Sequence, residues 1–162
     1  MIYTNTKVIL KNRPVGYPKE EDFEIVHEKT DHLDNGEVII EVLWLSLDPY
    51  MRGRMSAAKS YAAPLEIGEV ITGGAVGKIL ESKCPNFSVG NIVEGFSIGW
   101  QKFAKEKSHS IRIINPDLAP IQTALGVLGM PGMTAYFGLF EVCKPIPGDT
   151  VVVSAASGAV GQ

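Results

Sequence analysis

The chain has 162 residues, 45% hydrophobic and 20% charged, with 15 Lys and Arg against 18 Asp and Glu for a formal charge of −3. Those proportions describe a globular chain long enough for one cored domain and part of another, and they exclude a disordered polymer. The mild acidity argues against a dedicated nucleic-acid binder, and two distant cysteines, Cys84 and Cys143, form neither a disulfide scaffold nor a CxxC zinc site.

The opening "MIYTNTKVILKN" lacks the apolar core of a signal peptide, and the longest apolar run, "VIIEVLWLSL", is interrupted by Glu41 and too short to span a bilayer. A soluble, cytoplasmic protein is therefore expected. In chain order, "KVILKN" (7–12) predicts a short strand and "RPVGYP" the loop after it. "DFEIVHEKT" predicts a half-buried strand with Phe23, Ile25 and His27 on one face. "DNGE" is a turn signal, and "EVIIEVLWLSL" is the strongest strand pattern in the chain. At "DPYMRGRM", Asp48 is a suitable N-cap and Pro49 suits a first helical position, which predicts a short helix over about 50–55. "AAKSYAAPLE" reads as a surface loop.

"GEVITGGAVGKILES", "NIVEGFSIGWQKFAK" and "SIRIIN" then supply Val- and Ile-rich strands interrupted by glycines, as a small curled barrel requires. From Pro120 the pattern turns helical through "PIQTALGVLGM" and "PGMTAYFGLFEVC", with Pro131 a break and restart. Ala135, Leu139 and Val142 fall at helical spacing there, with Tyr136 and Phe140 beside them. "VVVSAA" (151–156) predicts a continuous apolar strand of the parallel-sheet kind.

Three stretches carry candidate chemistry. "ASGAVG" (156–161) matches the dinucleotide fingerprint with Ala156 in the first glycine position. Gly158 permits close approach of backbone to a pyrophosphate, and Gly161 permits a following helix to pack. The plain alternative is an ordinary glycine turn. In "LDPYMRGR", Tyr50 can donate a hydrogen bond to a carbonyl, and Arg52 or Arg54 can meet a carboxylate or phosphate; the alternative is a packed Tyr50 with solvated arginines. In "GMPGMTAYFGL", Met130, Pro131 and Met133 give an apolar wall, or simply core. His27, His32 and His109 have no metal-ligand spacing.

Together, "LSLDPYMRGRM", "GEVITGGAVGKILES", "VGNIVEGFSIGWQKFA", "LGMPGMTAYFGL" and "PGDTVVVSAASGAVGQ" resemble the medium-chain dehydrogenase/reductase superfamily. Within it they resemble the zinc-independent branch of prostaglandin, leukotriene, alkenal and curcumin-type reductases, in its N-terminal half. The zinc alcohol dehydrogenases differ: their catalytic Cys has no counterpart in "SLDPYMR", and "EIGE" stands where they carry Gly-His-Glu.

The resemblance implies an α+β chain, mainly β, with a GroES-like partly open barrel over residues 1–120. Residues 121–162 would be connecting helices, the first strand and the glycine turn of an incomplete Rossmann domain. It implies no metal, and NADPH as hydride donor to the C=C bond of α,β-unsaturated ketones and aldehydes; the choice of NADP over NAD rests on resemblance alone. Carried over by position, Tyr50 and, less directly, Arg52 line the substrate side. Met130, Pro131 and Thr134 lie near the nicotinamide, and Ala156, Ser157, Gly158, Ala159, Val160 and Gly161 lie under the pyrophosphate. The main catalytic group is expected beyond Gln162, so the 162 residues are expected to be inactive alone and to self-associate through Val151–Ala156. The alternatives are a non-enzymatic GroES-like interaction module and a quinone reductase of the same superfamily.

Overall fold

The computed structural model describes residues 2–162, which fall into two compact units, one ending at Ile114 and the other covering Asn115–Gln162. The boundary expected from sequence, after residue 120, lies a few residues further along.

The first unit holds strands β1 (Thr4–Leu10), β2 (Phe23–Lys29), β3 (Glu37–Leu45), β4 (Ala75–Ser82), β5 (Ile92–Gly95), β6 (Phe103–Lys107) and β7 (Ile111–Ile113), with helix α1 (Tyr50–Arg54) after β3. β1 and β2 form an antiparallel pair, and the other five form an antiparallel sheet in the order β6-β3-β4-β5-β7. β3 is an interior strand, second in that order, and its first four residues, Glu37, Val38, Ile39 and Ile40, are all buried, as a strand covered on both faces requires. The turn before it needs a left-handed residue, which Gly36 provides at φ 83°.

The sheet curls where the β3–β4 register shifts, between Ile39 and Ile40 and again between Val42 and Trp44. Such irregularities increase local twist. Gly77 faces Val42 inside this region, and a Cβ there would overlap the Glu41 carbonyl and the Ile40 side chain. Isolated bridges Lys7↔Gln101 and Ile9↔Val70 bring β1 back against the other strands' connections, so the unit is a partly open barrel. One core, with Val38, Ile40, Ile79, Val93 and Ile98, lies on the sheet. A second, with Leu10, Met51, Met55, Leu65 and Ile71, joins β1 to α1.

Three local expectations change in this unit. β1 begins three residues earlier than "KVILKN" suggested, because pairing with β2 recruits Thr4, Asn5 and Thr6. On β2, Phe23 packs against the cluster that holds Leu10 and Met51, but Ile25 on the same face is 65% exposed and Val26 on the other is half-buried. Asp48 does not cap α1 with its side chain: the Ser46 hydroxyl donates to it, and the helix is entered through the Asp48 and Pro49 carbonyls.

The second unit contains a 3₁₀ turn (Ile121–Leu125), helix α2 (Met130–Tyr136) with Pro131 in its first turn, and a π-helical continuation (Phe137–Cys143). The predicted stripe is at most half-buried: Ala135 and Leu139 are intermediate, and Val142 is 79% exposed. Residues 151–153 form no strand. An isolated apolar run has no ladder to join, and no β-strand occurs in Asn115–Gln162, so Val151, Val152 and Val153 remain exposed. No helix among the described residues is long and apolar enough to cross a membrane.

Candidate functional site

In the barrel unit, the candidate residues sit where β3 runs out into α1. Ser46 is tied to β4's approach by its N–H on the Gly74 carbonyl at 2.8 Å, which sets the direction of the following turn. Met51 and Met55 point the helix into the α1 core, and Tyr50 packs half-buried against the same cluster. Burial pushes the Tyr50 hydroxyl above its ordinary value, and the Asp48 carboxylate pushes the same way while Arg54 pulls against them. Tyr50 is thus a neutral donor at physiological pH, as hydrogen bonding to a carbonyl requires.

Arg52 is committed elsewhere. Its Nε donates to the Gly16 carbonyl at 3.1 Å, and one terminal nitrogen reaches the carbonyls of Pro14 and Gly16, both at 2.9 Å. It clamps the loop after β1. Arg54, four residues beyond Tyr50 and one helical turn away, makes no side-chain hydrogen bond or ion pair among the described residues; its Nε is shut off from solvent without a partner. The i, i+4 spacing of Tyr50 and Arg54 puts the guanidinium one turn from the hydroxyl, where its charge opposes the upward push of burial and Asp48.

In the second unit, Pro131 on α2 and Ala159 and Val160 of the glycine turn line one apolar cavity of about 820 Å³, with Val127, Leu128 and Tyr136. Met130, Thr134, Ala156, Ser157, Gly158 and Gly161 are not in its wall. The Thr134 hydroxyl donates back to the Met130 carbonyl at 2.8 Å. A Cβ at Gly129, just ahead of α2, would overlap the Ala124 carbonyl, a requirement the residue pattern does not reveal because it needs two turns packed together.

The glycine turn folds on Ala155, which is left-handed at φ 51°. Gly158 N–H donates to the Ala155 carbonyl at 2.8 Å, and the N–H groups of Gly161 and Gln162 donate to the Gly158 carbonyl at 3.1 and 3.2 Å. A Cβ on Gly158 would stand 3.1 Å from the Ala155 carbonyl oxygen, and one on Gly161 would overlap it. Gly161 is therefore demanded by the turn itself and Gly158 sits tightly against it, with the N–H groups of both engaged internally. Among the described residues, no three His, Cys, Asp or Glu side chains gather in a group that could hold a metal ion.

Residues 6–114 match a family model described as the N-terminal domain of oxidoreductase. The chain is 46% identical over 165 aligned residues to a 2-alkenal reductase (NADP(+)-dependent) of Nicotiana tabacum, covering 98% of this chain and 48% of the relative. It is 41% identical over 157 residues to the NADPH-dependent curcumin reductase of Escherichia coli, covering 97% and 45% respectively. The crystal structure of CurA from Vibrio vulnificus in complex with NADPH superposes with a TM-score of 0.88 at 44% identity, covering 96% of this chain and 46% of that one. The chain thus spans about half the length of the curated relatives it matches.

Proposed function

The chain belongs to the family of oxidoreductase N-terminal domains found in NADP-dependent alkenal, prostaglandin and curcumin reductases of the medium-chain dehydrogenase/reductase superfamily, and from this we propose that it serves the reduction of the C=C bond of an α,β-unsaturated ketone or aldehyde. The observation that supports this most directly is the likeness to an NADPH-bound relative, which extends over both units rather than the barrel alone.

The fit to the cofactor is at the glycine turn, where the missing Cβ atoms of Gly158 and Gly161 let the backbone fold closely on the Ala155 carbonyl, the tight turn that a dinucleotide fingerprint needs. There the backbone of 156–161 would meet the pyrophosphate, with Met130, Pro131 and Thr134 toward the nicotinamide. NADPH, when bound, supplies the hydride to the β-carbon of the substrate. Negative charge then grows on the carbonyl oxygen, and a neutral hydroxyl such as that of Tyr50 is suited to donate to it. Arg52 acts through the loop it clamps. No metal is assigned a role.

The N–H groups of Gly158 and Gly161 are engaged with the Ala155 and Gly158 carbonyls, and these 162 residues by themselves are proposed to bind NADPH weakly and to turn over no enone. Exposed Val151, Val152 and Val153 support a further element of the proposal, self-association of the chain through this run.

Fusing the chain to the remaining half of the Escherichia coli curcumin reductase provides the test. The chimera is expected to oxidise NADPH on addition of a short-chain enal, and Tyr50→Phe to lower kcat about ten- to a hundredfold while NADPH still binds. A folded chimera that binds NADPH yet reduces no enal or enone would overturn the reading. Cofactor fluorescence checks the isolated chain, where saturable tight binding would contradict the weak-binding proposal.

A further inference from the structure

We propose that Arg13 and Arg52 are positioning residues for Tyr50: acting in opposite directions, they brace the loop 13–18 and helix α1 on each other and so fix the roll of α1 that aims the Tyr50 hydroxyl. The proposal rests on the reading of Tyr50 as donor to the substrate carbonyl. α1 holds that roll poorly by itself. It has five residues and no side-chain cap at its start. Its buried anchors, Met51 and the Met55 that follows it one turn later, lie along a single seam. A seam fixes depth more firmly than roll. At about 100° per residue, Tyr50 and Arg52 stand on opposite flanks of Met51, so a tether on Arg52 sets where Tyr50 points.

The tethers are reciprocal. From α1, the Arg52 fork bridges the Pro14 and Gly16 carbonyls. From the loop, Arg13 donates to the Met55 carbonyl at 3.3 Å, at the end of α1 where carbonyls lack partners within the helix, and it also faces Glu66. The loop is firm enough to pull against. Its base is closed by the N–H groups of Lys11 and Asn12 on the Asp22 carbonyl at 2.8 and 3.1 Å, and by the Lys19 N–H on the Asp22 carboxylate at 2.8 Å. Pro14 is buried, while the tip residues Val15 and Tyr17 are 95% and 93% exposed, so the loop grips the fold through its backbone and its base. The side chains whose charges act on the Tyr50 hydroxyl are Asp48, Arg54 and Tyr61, so Arg13 and Arg52 reach it through position. A lysine would keep the charge at either place and lose the fork that spans two carbonyls.

The test titrates Tyr50 in the 162-residue protein through the ring-carbon resonances of labelled tyrosine, assigned with Tyr50→Phe. Three variants are compared with wild type: Arg13→Lys, Arg52→Lys, and a Gly-Gly insertion after Val15 that slackens the loop and keeps both arginines. Each is expected to let Tyr50 titrate at lower pH, toward an ordinary tyrosine, because the burial that raises it is loosened. Folded variants with an unmoved Tyr50 titration would overturn the proposal, and the insertion, at an exposed tip, decides if a lysine variant fails to fold. In the chimera with the Escherichia coli half, Arg52→Lys is expected to lower kcat about tenfold with NADPH binding unchanged, and to lower it no further in a Tyr50→Phe background. Equal losses in both backgrounds would mean that Arg52 does not act through Tyr50. A wild-type chimera that reduces no enal sinks the reductase reading instead, and the titration then decides the brace by itself.

Discussion

Glu37 opens β3 with its carboxylate fitted into the preceding turn: the Asp34 N–H donates to it at 2.8 Å, and Lys105 Nζ stands 3.5 Å away. The Asp34 hydrogen bond, with the nearby Lys105 and Lys107 charges, holds this carboxyl below its ordinary value, against the opposing effect of burial. A carboxyl lowered by folding adds stability above its unfolded pKa and loses it as pH falls through the folded one. Glu37→Gln is therefore expected to lower the urea midpoint at neutral pH, with the gap to wild type closing in acid. A pH-independent gap would mean that the side chain's shape, not its charge, matters. Tyr50 has the opposite sign: its raised value keeps it a neutral donor across physiological pH, and any stability gained from that protonation is lost only as pH rises through the raised value.

Among the elements, the β3–β4 pair sets the curl, and Gly77 is its narrowest point. Gly77→Ala places a methyl group against the Glu41 carbonyl and Ile40, and is expected to cost about 1–3 kcal/mol in urea unfolding. A methyl group added at Gly53 in α1 would meet only open space, so Gly53→Ala is expected to be neutral or to stabilise by up to about 1 kcal/mol. If both substitutions behave alike, the close approach at Gly77 is not what demands glycine. α1 is only five residues long, too short to be stable on its own, and persists because Met51 and Met55 are buried in the core with Leu10 and Ile71.

At the scale of the molecule, the two units differ in how much they bury. The barrel has two apolar clusters, whereas in Asn115–Gln162 only Ala124, Gly129 and Pro131 are buried, and Val127, Met133, Phe137, Phe140 and Val152 are exposed. Sedimentation velocity is expected to show concentration-dependent association of the 162-residue chain and a monomer when it is cut after Ile114. A strictly monomeric full chain at high concentration would count against association through 151–156.

Much of this was local enough to read from the residues in order. The apolar run of β3, the turn at Gly36, the helix after Pro49, the restart at Pro131 and the glycine positions 158 and 161 each follow from side chains within a few positions of one another. Their signals are periodicity, φ preference and lost N–H groups, which depend on neighbours in sequence. Other features needed partners from far along the chain. How far Phe23's face of β2 is covered depends on the cluster around Leu10 and Met51, which reaches Phe23 and not Ile25; whether Val151–Val153 becomes a strand depends on a neighbouring ladder; and Arg52 and Arg54, two residues apart, differ because only Arg52 meets the carbonyls of Pro14 and Gly16. A guanidinium carries the same charge and the same donors wherever it occurs, and its role is decided by which acceptors folding brings within about 3 Å of it.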